Sequence, residues 1–305
     1  MNERQSTPAI FTPTRNMMMR ELFELPMVML RYWRLARRSV PAEAWEYFKV
    51  LVALHLKWKW HGLNGPCTQR MLGFTVTGSD AGTLKYLFEE VFLRGDYAFD
   101  ADSDAPLIID CGANAGMAIL YFKRRWPKAR IIAFEANPQV FAFLEMNVRQ
   151  NDLRDVGPHN VALADKPGML AFFVNGHAGT LTGSVRSDRG GSTRIEVPAE
   201  TLSSHLVRLN GPVDAVKIDI EGAEWMVLRD LVSTSTLTRP ERYLVEYHHR
   251  IAGEKSRLAE FLAPFEAAGF DHTLRAQPKP GAVFQDMLIK FTRRAGGNER
   301  EHPHP

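Results

Sequence analysis

The stretch Asp110-Cys-Gly-Ala-Asn-Ala-Gly116 carries the residue types best suited to binding a cofactor. Its pattern is D-x-G-x-N-x-G, which differs from the G-x-G-x-x-G of dinucleotide sites in placing a carboxylate where a pyrophosphate would otherwise lie. A carboxylate repels phosphate and attracts cations, so a zwitterionic, amine-bearing cofactor fits better than NAD. The pattern therefore predicts a site for S-adenosyl-L-methionine, held by Asp110, Gly112, Ala113, Asn114 and Gly116. A turn-initiating role for Asp110 is the alternative interpretation.

A second carboxylate, Glu135, ends the next apolar segment and lies 23 residues after Gly112. That spacing is close to the roughly 20 residues expected for a carboxylate that accepts both ribose hydroxyls. We expect Ala136, Asn137 and Ala162 at the same cofactor site. Asn137-Pro138 also suits the N-cap and first residue of a helix. A solvated or helix-capping Glu135 is the alternative.

These residues need strands and helices to position them. Leu107–Asp110 is predicted to be a buried strand, and residues 117–122 have the apolar spacing of a helix packed on a sheet. Other apolar segments predict strands at 71–77, 130–135, 159–164, 168–174, 193–198, 213–219, 242–246, 270–274 and 283–291, and helices at 83–93, 140–150, 202–209, 223–231 and 254–268. The alternation predicts an α/β fold, a Rossmann-like doubly wound sheet with an antiparallel C-terminal edge.

Acids and histidines follow the later predicted strands, where open α/β sheets bind their ligands. They are Asp165, Asp219, Glu221, Glu224, Glu246, His248 and His249. Lys217 shares a strand face with Asp219 and either contacts the substrate or forms a buried ion pair. Asp219, Glu221, Glu246 and His248 could hold Mg²⁺, but carboxylates beside a cationic cofactor account for the same acids. We predict no metal.

Composition limits the class of protein. The chain has 305 residues and a net charge of +3, of which residues 1–60 contribute +5, so the remainder is slightly acidic and is not predicted to bind nucleic acid. Two cysteines are too few for a disulfide framework, which favours a reducing, cytoplasmic location. The sequence shows neither a signal peptide nor an apolar run long enough to span a bilayer.

Residues 1–69 form a basic helical arm by prediction, with a new helix starting near Pro41. The apolar and basic side chains of 17–60 allow two interpretations, a face resting on an anionic membrane at the inner surface or a cap packed on the main domain or on a second subunit as a homodimer. We predict further a docking strand and helix unit at 70–100, the main domain at 101–293 and a disordered tail at 294–305.

Residues 175–193 form a long Gly/Ser-rich segment that includes Ser184 and Arg186. Long loops in compact domains are usually functional or disordered. The functional interpretation is a lid whose hydroxyls and arginines contact a polar acceptor, with Ser184, Arg186, Lys217 and Glu221 as substrate-binding residues. A merely disordered loop is the alternative.

Four motifs together resemble the FkbM family of S-adenosylmethionine-dependent methyltransferases. They are Ile109-Asp-Cys-Gly-Ala-Asn-Ala-Gly116, Phe134-Glu-Ala-Asn-Pro138, Asn160-Val-Ala-Leu163 and Lys217-Ile-Asp-Ile-Glu-Gly-Ala-Glu224. The resemblance spans residues 70–290, and its fourth motif is the most specific. It implies a class I methyltransferase fold and O-methylation of a small-molecule or glycan acceptor, such as a sugar, a glycolipid or polysaccharide precursor, or a polyketide-type natural product.

The sequence departs from that family at two places. Ala136 stands where the family often has Pro, and Leu202-Ser-Ser204 where it often has Leu-Asp, a change expected to remove a helix cap. Transfer of a methyl group to a hydroxyl requires a base, for which Asp219, Glu246, His248 and His249 are the candidates. Two other functions remain open, an NAD-dependent reductase or epimerase and a non-catalytic scaffold acting through its basic arm.

Overall fold

The computed structural model describes residues 15–62, 65–174, 183–249, 257–276 and 285–294. The predicted tail from 295 onward, the first 14 residues and the first part of the predicted loop, 175–182, lie outside these ranges. None of the helices within them combines the length and apolar character that a membrane crossing requires.

The N-terminal segment is helical, as predicted. Helix α1 spans Arg15–Ser39, a 3₁₀ turn spans Pro41–Glu43, and α2 spans Ala44–His61. Their buried side chains belong to the same apolar cluster as the central sheet, namely Tyr32, Ala36, Tyr47, Leu51 and Leu54. The four arginines between 31 and 38 are exposed. The arrangement matches the packed-cap interpretation, while membrane contact and homodimer formation remain predictions.

The segment predicted as one strand at 71–77 is instead a hairpin, and that prediction was wrong. Strand β1 (Cys67–Met71) and strand β2 (Phe74–Gly78) join through a two-residue turn in which Leu72 and Gly73 both have positive φ. Such turns usually carry Asn-Gly, so a leucine at the first position hid the turn signal.

A helix and a π-helical turn follow the hairpin. Helix α3 (Ala81–Phe88) begins with its Thr83 amide donating to the Asp80 carboxylate at 2.8 Å, and it continues as a π-helix at Glu89–Leu93. Gly95 then has a φ of +62°, as expected for a residue just past a helix end. The predicted helix at 83–93 is therefore present, with an altered last turn.

The main sheet has seven strands in the order β11-β12-β10-β9-β3-β4-β5. All neighbours pair in parallel except β12, which is antiparallel to both β10 and β11. Its strands are β3 (Leu107–Cys111), β4 (Arg130–Phe134), β5 (Val156–His159), β9 (Ala215–Ile218), β10 (Arg242–His249), β11 (Phe270–Ala276) and β12 (Gln285–Arg293). The doubly wound sheet with an antiparallel C-terminal strand is confirmed.

Helices cover both faces of this sheet, so strands such as β3 and β9 are buried along their whole length. The helices are α4 (Met117–Arg125), α5 (Pro138–Gln150), α7 (Leu202–Arg208), α8 (Glu224–Ser233) and α9 (Leu258–Ala267). The short α6 (Ser187–Gly190) instead contacts β7 (Gly168–Val174), which belongs to a separate sheet. Asn137 caps α5 by accepting a hydrogen bond from the Gln139 amide at 3.0 Å, as predicted.

The predicted strand at 159–164 is in fact divided between two sheets. Its first part belongs to β5, whereas β6 (Ala162–Leu163) joins β7 (Gly168–Val174) and β8 (Thr193–Glu200) in a separate three-stranded sheet. Asn160 separates the two parts, because its side-chain amide donates to the Glu135 carbonyl at 2.8 Å.

The expected loss of a cap at α7 does not occur. The Thr201 hydroxyl accepts a hydrogen bond from the Ser204 amide at 3.4 Å, and the Asp230 carboxylate accepts from the Ser203 amide at 2.8 Å. A residue one position earlier and a distant aspartate therefore satisfy the helix start.

One buried side chain ties the β1–β2 hairpin to the main domain. Asn147 of α5 accepts from the Thr77 amide at 2.8 Å and donates to the carbonyls of Thr77 and Ala115 at 2.8 and 2.7 Å. Because its side chain is buried, no water can replace these bonds when it is removed.

We predict that Asn147→Ala lowers the free energy of unfolding by about 2–4 kcal/mol, since each buried polar group left unsatisfied costs about 1–3 kcal/mol. Urea denaturation measures the change. Gln150→Ala is the comparison variant: exposed Gln150 donates to the Thr75 carbonyl and to Asn147 Oδ1, so its loss leaves the bonds of Asn147 to Thr77 and Ala115 in place. Equal losses in the two variants would contradict this role of Asn147.

Candidate active site

The predicted cofactor loop lies at the carboxyl end of β3, where its amides are all bonded within the protein. The amides of Gly112 and Ala113 both donate to the Phe134 carbonyl at 2.9 Å, and the Asn114 amide donates to Glu135 Oε2 at 2.9 Å. The amides of Ala115 and Gly116 donate to the Asn114 side chain and the Ala113 carbonyl. The loop therefore has no free N–H cradle for a pyrophosphate.

Gly112 is the position in the loop with the tightest surroundings. Its φ is +83°, and a Cβ built there would lie 1.8 Å from the backbone oxygen of Asp219. Any side chain would thus collide with the chain that leaves β9. A glycine here lets the loop after β3 and the end of β9 approach each other closely.

Asp110 lies underneath the loop rather than on its surface. It is fully buried and pairs with Lys217 Nζ at 3.1 Å, since Asp110 and Lys217 are neighbours in register on β3 and β9. Burial raises the pKa of the Asp110 carboxyl, and the charge of Lys217 opposes that shift. Asp110 can therefore support a cofactor only through the loop above it.

The expectation that Lys217 contacts a substrate is corrected by the structure. Its side chain is only 4% exposed, and its ammonium group donates to the Gly112 carbonyl at 2.7 Å while lying 3.5 Å from Asp219 Oδ2. Burial lowers the pKa of Lys217, but the charges of Asp110 and Asp219 outweigh burial and raise it. Lys217 is an internal cation that joins β3, its loop and the end of β9.

Glu135 faces an apolar pocket and holds two backbone amides. Its oxygens accept from the amides of Asn114 and Asn137 at 2.9 and 2.8 Å. Burial raises the pKa of Glu135 to about 7, against the lowering effect of those two bonds. The apolar pocket comprises Gly112, Phe134, Glu135, Ala136, Val161, Ala162, Leu163, Phe172, Val185, Ile220 and Ala223. Gly112, Glu135, Ala136 and Ala162 are thus brought together as predicted.

Asp219, just past β9, meets Glu246 within β10, and a tyrosine that the sequence did not single out joins them. The Tyr97 hydroxyl lies 3.0 Å from Asp219 Oδ2 and 3.2 Å from Glu246 Oε2. One hydroxyl hydrogen can serve only one of the two carboxylates at a time. Burial, followed by the charges of Asp219 and Glu90, raises the pKa of Glu246 well above its ordinary value.

His248 lies between two carboxylates. Its Nδ1 is 2.7 Å from Glu224 Oε1, and its Nε2 is 3.2 Å from Glu221 Oε2. Glu221 has a φ of +52° in the turn after β9, and its carbonyl accepts from the Ser184 hydroxyl at 2.5 Å. Ser184 is fully buried, so its hydroxyl holds this turn instead of facing a substrate, which corrects its predicted role.

The remaining predicted site residues lie in several different surroundings. Arg186 follows Ser184, and its amide donates to the Ser184 hydroxyl at 3.1 Å. Asp165 pairs with Arg229 at 2.9 Å on the surface. The side chain of His249 lies outside the described part of the chain. Potential metal ligands lie within 4.8 Å of one another in two overlapping groups, Asp219 with Glu221 and His248, and Glu246 with His248 and Asp286.

The structure adds residues that sequence reasoning missed. Besides Tyr97, these are Glu90 in the π-helical turn and Asp286, which pairs in register with His248 across β10 and β12. An acid within the apolar run Leu87-Phe-Glu-Glu-Val-Phe-Leu93 was a usable signal for Glu90, since buried acids are rare without a role. No comparable pattern marks Tyr97 or Asp286.

Comparison with known proteins gives a family. A model of the methyltransferase FkbM domain matches residues 110–272. Methyltransferase 1 of Beauveria bassiana (strain ARSEF 2860) is 28% identical over 52% of this chain and 72% of its own length. The 31-O-demethyl-FK506 methyltransferase FkbM of Streptomyces tacrolimicus is 25% identical over 74% of this chain and 95% of its own.

A third relative, the 2-O-methyltransferase NoeI of Sinorhizobium fredii (strain NBRC 101917 / NGR234), is 27% identical over 44% of this chain and 60% of its own length. The matched segment holds β3 and its loop, Glu135, the apolar pocket, and the ends of β9 and β10. The sheet order with its antiparallel β12 is that of a class I methyltransferase. The chain belongs to the FkbM family of methyltransferases.

Proposed function

We propose that the protein is an S-adenosylmethionine-dependent O-methyltransferase acting on a hydroxyl of a sugar, glycolipid precursor or natural product. The observation that carries this proposal is the line of contacts from Gly112 through Asp219 and Tyr97 to Glu246. It connects the apolar pocket beside Glu135 to a buried carboxylate with a raised pKa. Two relatives support oxygen as the methyl acceptor, because one is named a 2-O-methyltransferase and the other a 31-O-demethyl-FK506 methyltransferase.

The residues present fit S-adenosylmethionine. An apolar pocket suits the flat adenine ring, and Glu135 at its edge can accept hydrogen bonds from the ribose hydroxyls. A loop whose amides are all internally bonded does not favour phosphate, which counts against NAD. When bound, the cofactor supplies a methyl group already activated by its positively charged sulfur.

The protein's own part in the reaction is alignment and proton removal. An alcohol is a poor nucleophile while it keeps its proton, so a positioned base is needed. Glu246 is the base in this proposal, because burial raises its pKa well above the ordinary value and so makes it a stronger proton acceptor than a free carboxylate. Tyr97 and Asp219 orient it, and His248, fixed between Glu221 and Glu224, is a positioning residue.

The proposal also accounts for the acids without a metal, since a cationic cofactor offsets their charge. A non-catalytic scaffold would not need a mostly buried carboxylate held by a tyrosine within a core strand, because removing an acid from water costs stability. These contacts therefore support an enzyme better than they support a non-catalytic scaffold.

The direct test is calorimetry with S-adenosylmethionine. We expect micromolar binding to the wild type, no heat with NAD, and binding weakened about tenfold or more in Glu135→Ala, which loses hydrogen bonds to a charged group worth about 1.5–3 kcal/mol. Glu135→Gln keeps only one of the two bonds to backbone amides, because its side-chain NH2 cannot accept a hydrogen bond. Glu196→Ala on an exposed strand is the control. Absence of binding by the folded wild type would refute the methyltransferase function.

Gly112→Ala tests the close approach at the loop. We expect a loss of about 2–5 kcal/mol in the free energy of unfolding, from about 1–2 kcal/mol of backbone strain and about 1–3 kcal/mol of overlap with Asp219. Gly269→Ala is the matched control, because Gly269 has a φ of +84° with no atom within 4 Å of the added Cβ. Urea unfolding compares them, and equal losses would show that strain alone explains Gly112.

Glu246→Gln tests the cost of the proposed base. A carboxyl whose pKa is higher in the folded than in the unfolded state stabilises the fold fully below its unfolded pKa, and that stability is lost as the pH rises. Glutamine resembles the neutral acid and does not ionise, so the Glu246→Gln protein does not lose this stability as the pH rises. The variant should therefore be more stable than wild type at pH 8.

The same comparison at pH 4.5 should show little difference, because the wild-type carboxyl is then neutral in the folded protein. Glu241→Gln, half-exposed and paired with Arg293, controls for the substitution itself. Urea unfolding at both pH values measures the effect. A Glu246→Gln protein less stable than wild type at pH 8 would mean that Glu246 is fully compensated in the fold.

A further inference from the structure

A second pocket shares Glu246 with the site described above. We call it the polar pocket, and its lining is Tyr86, Glu90, Arg94, Asp96, Glu246, Arg275, Asp286 and Leu288. Three parts of the chain build it: the π-helical turn with its flanks, the end of β10, and the antiparallel strands β11 and β12. Glu246 is the lining residue that also bonds Tyr97.

The π-helical turn explains how an acid reaches this position. Helix α3 is regular up to Phe88, and the wider turn at Glu89–Leu93 leaves Glu90 only 5% exposed while Glu89 remains near the surface. Such turns are often found at functional sites. Burial, followed by the charge of Asp219, raises the pKa of Glu90 to about 8, which marks a strained placement for a carboxylate.

The polar pocket is rich in hydrogen-bonding groups and poor in uncompensated positive charge. Arg94 bonds Glu90 at 3.2 Å and Asp96 at 3.1 Å, and Arg275 also pairs with Asp96. The two guanidinium groups are thus already matched by carboxylates. Glu246 and Asp286 add further acids, so an anionic ligand such as a phosphate or carboxylate would meet repulsion.

The rim and floor of the polar pocket suit a ring-shaped ligand. Tyr86 is 41% exposed, and the Arg94 guanidinium lies 5.6 Å from its ring centroid, which fixes the aromatic face at the edge. Leu288 adds an apolar surface. An aromatic face beside several carboxylates offers both stacking against C–H groups and acceptors for hydroxyl hydrogens.

We propose that the polar pocket is the acceptor site and that it takes a neutral, polyhydroxylated ring such as a sugar unit. This inference rests on the proposed methyl transfer and specifies its substrate class. A ring bound here would place a hydroxyl beside Glu246, the base of the proposed reaction. Carboxylates and paired guanidinium groups would bind the remaining hydroxyls.

The lining residues of the two pockets lie in different segments of the chain, which supports separate sites for the methyl donor and the acceptor. All those of the polar pocket except Glu246 lie outside residues 110–272, the segment shared with the FkbM domain, whereas the apolar pocket lies wholly within it. The residues that would bind the methyl donor therefore lie in the shared segment. The residues that would contact the acceptor lie, apart from Glu246, on either side of that segment.

The experiment is saturation-transfer NMR on the full chain with S-adenosylhomocysteine present. The probes are the neutral methyl glycosides of glucose, galactose, mannose, fucose and rhamnose, against the methyl glycosides of glucuronic and galacturonic acid. We expect saturation of at least one neutral glycoside and of neither uronate. Saturation of the uronates equal to that of the neutral probes would overturn the proposed ligand class.

Two variants locate the binding. Arg275→Ala and Tyr86→Ala both change partly exposed side chains of the polar pocket, and we expect each to weaken glycoside binding about fivefold or more. Arg125→Ala is the matched control for Arg275, because Arg125 is similarly exposed and pairs with Asp100 far from the pocket. Unchanged binding in both pocket variants would overturn the site.

Calorimetry with S-adenosylmethionine on the same three variants separates this proposal from the proposed function. Normal cofactor binding with lost glycoside binding supports the acceptor site. Normal cofactor binding by the wild type without saturation of any neutral glycoside refutes the acceptor site alone. Absence of cofactor binding by the wild type refutes methyl transfer itself.

Discussion

The buried contact between Lys217 and Asp110 is the constraint on which the site depends. It crosses from β9 to β3 in register and brings an ammonium group directly beneath the Gly112 carbonyl. Two opposite charges without water are costly to separate, because either one alone would be an uncompensated buried ion. The same ammonium group lies 5.0 Å from the ring centroid of Tyr97, so one cation organises both the loop and the tyrosine that joins the two carboxylates.

The central elements could be predicted because their sequence signals are local. Apolar runs marked β3, β4, β9 and β10, and the four motifs marked the family and the residues at the strand ends. The antiparallel β12 followed from two strands arriving in succession at the end of the chain. For these features pattern, burial and position in the sheet all agree.

The features that the sequence did not reveal depend on contacts between distant residues. Ser184 and Lys217 have types suited to binding a substrate, yet packing turns both inward, to the Glu221 carbonyl and to Asp110. Tyr97 contacts Asp219, which lies 122 positions later in the chain, and no pattern in the sequence around Tyr97 predicts that contact. Leu72 concealed a turn because the hairpin tolerates an unusual residue there. Residue type alone therefore cannot separate a functional polar group from a structural one.

The shared core of the N-terminal helices and the sheet has a consequence for synthesis. Tyr32 and Leu54 pack in the same cluster as Ala215 and Leu244, which leave the ribosome much later. The first helices have early partners in α3 and the π-helical turn, where Tyr47 packs on Phe88 and Phe92, but their cluster is complete only after β9 and β10 have been made. The N-terminal part of this core can therefore form soon after α3 is made, whereas its contacts with the sheet wait for segments that are distant in the chain.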